Sequence, residues 1–176
     1  MFQISPVTRE DLKDIIELRD EATEWLHGLG TDQWQQAWPD AQGENERLES
    51  SIDKGNTWIV RDGPVAVATF VIDTFSDPQL WTEDEQAEPA LYIHRFIVRR
   101  DRAGIELGAT LMDLIEVWAK PHEDYEGYDW LRVDVWTTNE DLHKYYRRIG
   151  FDYLRTVPGD YPSSALFQRE VPKRAH

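Results

Sequence analysis

The sequence predicts an α+β domain, a mixed sheet flanked by helices, and three observations carry that prediction. Segments of two-residue hydrophobic alternation interleave with segments of helical period, in the order strand, helix, helix, three strands, helix, strand, helix, two strands. Glycine, proline and asparagine punctuate the joints, with no internal repeat, linker or low-complexity segment. The 176 residues, 40% hydrophobic with eight Trp and seven Tyr, can bury one good core but would be cramped as two domains. Residues 1–172 are therefore expected to form one domain, with 173–176 a frayed tail.

Gln3–Val7 alternates like a short strand, and Thr8 with Asp11 has capping-box character. A helix follows, its apolar stripe made by Leu12, Ile15, Ile16, Ala22, Leu26 and Leu29 and its end marked by Gly28 and Gly30. Thr31–Gly43, rich in Trp, Gln and Pro, reads as a loop, and Glu44–Lys54 as a helix stopped by Gly55 and Asn56. Thr57–Arg61 and Val65–Phe75 are strands around an Asp62-Gly63-Pro64 turn, and the acidic Ser76–Pro89 is expected to be a mobile loop. Ala90–Val98 is the next strand. A helix from Gly104 to Lys120 buries Leu107, Leu111, Leu114, Ile115 and Trp118 and is ended by Pro121. Trp130–Trp136 sets Leu131, Val133 and Val135 against Arg132, Asp134 and Trp136, as a strand should. A short helix carries Leu142, Tyr145, Tyr146 and Ile149 to Gly150, and Phe151–Val157 and Ser164–Glu170 are the last strands.

Composition limits the chemistry. The absence of cysteine removes disulfides, thiolate metal sites and a cysteine nucleophile, and fits a reducing cytoplasm. The five histidines show no pair at metal-ligand spacing, and no glycine run ends in Gly-Lys-Ser/Thr. The N-terminus lacks a basic region leading into a long apolar run, and no apolar stretch approaches the ~20 residues of a membrane span. A formal net charge of −15 opposes nucleic acid and anionic membranes and favours a cationic or amine partner.

One stretch departs from that acidity. Between His94 and Ala109, Arg95, Arg99, Arg100 and Arg102 face only Asp101 and Glu106, a local balance of +2, as a strand passes into a glycine-containing helix start. A helix N-terminus offers free N–H groups and about half a positive charge, so the pattern suits a phosphorylated ligand. Four arginines on a solvated edge would read the same.

Four sequence features, together with the element order, resemble the GNAT superfamily of acyl-CoA-dependent N-acyltransferases over nearly the whole chain. They are Ile93–Arg100 (IHRFIVRR), Ala103–Ala109 (AGIELGA), Leu131–Asp134 (LRVD), and Asn139 followed by Leu142, Tyr145, Tyr146, Gly150 and Phe151. The resemblance implies a mostly antiparallel, twisted sheet of about seven strands with a splayed central pair. It also implies acetyl-CoA or another acyl-CoA as cofactor, with the backbone of Phe96, Ile97 and Val98 on the pantetheine arm. Arg102, Ala103, Gly104, Ile105, Leu107, Gly108 and Ala109 would then hold the pyrophosphate, with charge from Arg99, Arg100 or Arg102, and Asn139 and Tyr145 would lie near the cofactor. Asn139 also suits a helix cap. The family pattern of Arg or Gln, two variable residues, Gly, one variable residue, then Gly or Ala reads here as Ala103, Glu106 and Gly108. A carboxylate at Glu106 repels a pyrophosphate by roughly 1 kcal/mol in water and more at lower dielectric, unless it turns outward.

The implied reaction moves an acetyl group to an amine by direct attack in a ternary complex. Tyr146 occupies the slot of the acid near the departing sulfur, with Tyr145 beside it; amphipathic packing is the other reading of both, and weighs more for Tyr145. His94 and Asp134 are the candidate bases, although a strand histidine is often structural and Asp134 has Arg95 and Arg132 as candidate partners. Trp34, Trp38 and Trp81 are candidates to line the acceptor site, where aromatic walls and carboxylates suit a cation. An amine-bearing, cationic acceptor fits, a homodimer stays open, and the rival reading is a non-catalytic module that senses acyl-CoA.

Overall fold

A computed structural model describes residues 1–35, 40–102, 105–120 and 126–173. The elements run β1 (Phe2–Pro6), α1 (Leu12–Gly28), α2 (Ala41–Asp53), β2 (Thr57–Asp62), β3 (Val65–Asp73), α3 (Glu83–Ala87) and β4 (Ala90–Val98). They continue with α4 (Ile105–Ala119), β5 (Trp130–Val135), α5 (Glu140–Arg148), β6 (Asp152–Thr156) and β7 (Ala165–Glu170). The strands form one sheet in the order β1-β2-β3-β4-β5-β7-β6. β1 with β2, β2 with β3, β5 with β7 and β6 with β7 are antiparallel, and β4 with β5 is parallel. The seven mostly antiparallel strands expected from the sequence are therefore present. Among the described residues, no helix is long and apolar enough to cross a membrane.

The chain packs as two compact units, and β4 contributes to both: Met1–Ile72 with Arg95–Ala103, and Asp73–His94 with Gly104–His176. In the first unit, α1 buries Ile15, Leu18 and Ala22, one helical stripe, against Leu48 and Ile52 of α2 and against Ile59, Ala66 and Ile97 of the strands. The stripe starts behind the capping box expected at Thr8 and Asp11, where the Asp11 carboxylate accepts from the Thr8 N–H at 2.9 Å. Arg61 on β2 then ties the helix start to the sheet, pairing with Asp11 and Asp14 at 2.6 and 2.5 Å. The helix expected from Glu44 begins at Ala41, because Asp40 caps it by accepting from the Gly43 N–H at 2.8 Å. A glycine in the first turn hides that start from a reading by hydrophobic period.

In the second unit, Leu131, Val133 and Val135 of β5 are buried, and so is Phe167 opposite Val133 on β7. Arg132 corrects the expected polar face: it is 0% exposed, since α3 and Trp81 cover it. The segment Ser76–Pro89 is likewise not the mobile loop expected. It carries α3, capped reciprocally by Thr82 and Glu85, and Trp81 is buried. Arg155 of β6 holds it, donating to both Glu85 oxygens at 2.7 Å and to the Leu80 carbonyl at 2.9 Å.

The Arg155 hydrogen bonds, foremost, hold the Glu85 carboxyl down to about 2 from its ordinary 4.5. A depressed carboxyl stabilises the fold above its unfolded pKa, and that stability is lost as pH falls through the folded value. Stability should therefore hold down to about pH 4.5 and then fall by up to about 2 kcal/mol toward pH 2 from this pair. Acid titrations followed by circular dichroism should show that component missing in Arg155→Met.

Candidate active site

The parallel ladder of β4 and β5 covers Ala90, Leu91 and Tyr92 opposite Trp130, Leu131 and Arg132, and then stops. β5 runs on to Val135, held on its other side by β7. Just past the last paired residues, His94 and Asp134 meet across the opening, Nδ1 to Oδ1 at 3.1 Å. The Asp134 side chain is 7% exposed and also accepts from the Tyr161 hydroxyl at 3.2 Å, whereas the His94 side chain is 35% exposed. A neutral histidine that donates from Nδ1 to a carboxylate carries its lone pair on Nε2. The buried partner orients the ring, and the ring has access to solvent. Arg95 and Arg132, the other partners considered for Asp134, are engaged elsewhere, with Ser51 and Glu88 respectively.

His94 and Asp134 line a cavity of about 130 Å³ together with Asp77 and Tyr161 and the apolar surfaces of Phe75, Leu80, Trp81 and Tyr92. That volume has room for the reactive end of a small molecule. Asp77 and Tyr161 were missed by the sequence reading, since both sit outside regular strands and helices and nothing in their spacing links them to Asp134. Trp81 lines the cavity, but its ring is committed inside the protein: it meets Tyr92 edge-on at 5.4 Å and lies 4.9 Å from the Arg132 guanidinium. It acts as an apolar wall more than as an open cation-π face. Trp34 packs on the core of the first unit. Trp38 lies outside the described residues.

Tyr146 is buried among the rings of Tyr145, Phe151 and Phe167, at 5.4, 5.4 and 6.0 Å. Burial, then Tyr145 and Asp134, push its hydroxyl well above the ordinary tyrosine range, so it keeps its proton at any working pH. Burial raises Tyr145 as well. Asn139 caps α5, accepting from the Leu142 N–H at 3.0 Å. Gly150, at φ +92, ends that helix and brings Phe151 back against Tyr146.

The arginines of the basic stretch are partly answered within the chain. Arg99 faces Asp101 at 3.3 Å and Arg102 faces Asp62 at 3.4 Å. The Arg100 guanidinium stacks 3.4 Å from the Trp25 ring, where desolvation lowers its pKa. Glu106 is exposed on the first turn of α4, while Leu107 and Gly108 are buried and Ala109 half-buried. Phe96 and Val98 are half-buried and Ile97 is buried. Ile105 opens α4, and Ala103 and Gly104 lie outside the described residues.

His94 and Asp134 thus sit where the parallel central pair of a mixed seven-stranded sheet parts. The chain belongs to the acetyltransferase (GNAT) family, whose model matches residues 15–151. It is similar to an uncharacterized N-acetyltransferase of Bacillus subtilis (strain 168), YesJ, 28% identical over 174 residues, which are 97% of this chain and 91% of that one. Among solved structures, an acetyltransferase of the GNAT family from Streptococcus agalactiae 2603 shares the fold with a TM-score of 0.76 at 21% identity, over 96% of this chain and 95% of the other. The PaiA N-acetyltransferase of Thermoplasma acidophilum, solved in complex with coenzyme A, matches with a TM-score of 0.67 at 14% identity, over 97% and 99%.

Proposed function

We propose that the protein transfers the acetyl group of acetyl-CoA to the amine of a small, cationic molecule, with residues 1–172 acting as one domain. The observation that carries this reading is the His94–Asp134 pair, 3.1 Å apart, on the wall of a cavity that also holds Asp77. An amine arrives protonated and must lose its proton to react. The carboxylates of Asp77 and Asp134 favour the ammonium form on entry, and His94 Nε2 then takes the proton while Asp134 stabilises the imidazolium. The amine nitrogen attacks the thioester carbonyl carbon; a C–N bond forms, the C–S bond breaks, and the thiolate leaves with a proton. Tyr146 donates a hydrogen bond to the forming thiolate, a donor that its raised pKa preserves, and the second proton shed by the attacking nitrogen ends on the thiol.

For the cofactor, the family likeness assigns the backbone of Phe96, Ile97 and Val98 to the pantetheine arm. It assigns Arg99, Arg102 and the start of α4 through Leu107, Gly108 and Ala109 to the pyrophosphate. The outward Glu106 is compatible with that assignment. Acetyl-CoA supplies an activated acyl group, and positioning it beside the amine is itself a large part of catalysis. A cytoplasmic location fits the cysteine-free composition.

Calorimetric titration with acetyl-CoA should give saturable binding below millimolar concentration, and thiol release over an amine panel should favour small cationic amines over neutral or acidic ones. No binding at millimolar acetyl-CoA would remove this reading. Tyr146→Phe should lower kcat about 10²-fold with little change in KM for acetyl-CoA. Stopped-assay kinetics with the best amine would check it, and an unchanged kcat would leave Tyr146 as a packing residue.

A further inference from the structure

Arg95 breaks the local rules of its strand. It lies in the middle of β4 with φ +47, a left-handed conformation that costs a non-glycine residue about 1 kcal/mol or more and that no strand ladder requires. Apart from Trp34, it is the one non-glycine residue at positive φ among the described residues. Such a conformation persists only when its surroundings over-determine it. Here they do: Arg95 Nη2 donates to Ser51 Oγ at 2.5 Å and to the Arg47 carbonyl at 3.3 Å, both on α2. Ser51 Oγ in turn donates to the same Arg47 carbonyl at 2.6 Å, so the acceptor on the helix is itself fixed. The serine is buried, although the arginine it holds is exposed.

We infer that Arg95 is a positioning residue: its clasp on α2 holds β4 in a left-handed kink that sets the direction of the backbone from Phe96 to Val98. Immediately beyond the kink the strand is anchored again, by Ile97 in the core and by the Arg99 N–H on the Val67 carbonyl at 2.7 Å. The three residues in between are thus fixed at both ends. Their N–H and C=O directions follow from the sign of φ at residue 95, because an extended conformation there would turn the following peptide groups over. The significance for catalysis rests on the proposed function, in which this backbone carries the pantetheine arm. The side chain at 95 then controls affinity for the acyl donor without touching it.

The kink makes a specific pattern of outcomes. Arg95→Ala keeps the penalty of a positive φ and loses the clasp, so the strand relaxes toward extended backbone. Arg95→Gly also loses the clasp but adopts φ +47 without penalty. KM for acetyl-CoA should therefore rise about tenfold in Arg95→Ala, about threefold or less in Arg95→Gly, and by an intermediate amount in Ser51→Ala, with KM for the amine unchanged in all three. Amide hydrogen exchange over residues 93–99 of the free protein should follow the same order, fastest in Arg95→Ala. Exchange needs no cofactor, so it separates the two claims. If acetyl-CoA binds nowhere yet exchange follows the order, the proposed function falls and the clasp stands. Equal exchange and equal KM in wild type, Arg95→Ala and Ser51→Ala would overturn the clasp, and so would Arg95→Gly behaving no better than Arg95→Ala. Ser51→Ala keeps the test open should either arginine variant fail to fold.

Discussion

His94→Gln lowers kcat/KM for the amine about 10²–10⁴-fold, the span that a positioned general base contributes. Glutamine preserves the polar contact to Asp134 and much of the volume, so the thermal midpoint should change little. Asp134→Asn should fall less far, since it leaves the histidine in place but removes the charge that stabilises imidazolium; its deficit lies in kcat more than in KM. The pair is coupled through one 3.1 Å contact, and the double variant should therefore be about as slow as His94→Gln alone. An additive double variant would mean that the two act separately.

The largest loss of stability is expected at Arg132. Its guanidinium is fully buried, donates to the Glu85 carbonyl at 2.6 Å, the Tyr92 hydroxyl at 3.0 Å and Gln168 Oε1 at 3.2 Å, and pairs with the Glu88 carboxylate. Arg132→Met removes every one of these and strands several acceptors, at about 3–5 kcal/mol, the usual range for breaking a buried ion pair. For a chain of this size that is a fall in thermal midpoint of about 10 °C. Glu88→Gln should cost less, because glutamine keeps an oxygen acceptor for the guanidinium and the Glu85, Tyr92 and Gln168 acceptors remain. Calorimetry on the two variants distinguishes them; equal losses would show that the ion pair, and not the set of neutral acceptors, carries the stability.

The strand and helix order was legible in the sequence because each element announces itself locally. Val65 to Asp73 is almost wholly apolar, and Ile15, Ala22 and Leu26 recur at helical spacing. α3 was not legible, since Glu83–Ala87 has no apolar stripe and is held by long-range arginine contacts from β5 and β6. Arg132 read as a solvated position for the same reason: alternation predicts a face, and only tertiary contacts say whether that face is covered. His94 and Asp134 were both visible as candidates, but their partnership was not, because Arg95 and Arg132 are closer rivals by charge. Asp77 and Tyr161 reach the cavity from loops that no periodicity describes. The strain at Arg95 had no signature at all, as arginine in a strand ordinarily signals an exposed edge.

His94 is proposed to act as the base as this chain moves an acetyl group onto an amine. Incubation with acetyl-CoA labelled in its acetyl carbons and the preferred cationic amine, followed by mass spectrometry of the small molecules, tests it most directly. A labelled amide should form in step with free coenzyme A in the wild type, with the initial rate reduced at least a hundredfold in His94→Gln. Label found on a hydroxyl or nowhere, or a His94→Gln rate equal to wild type, would contradict it.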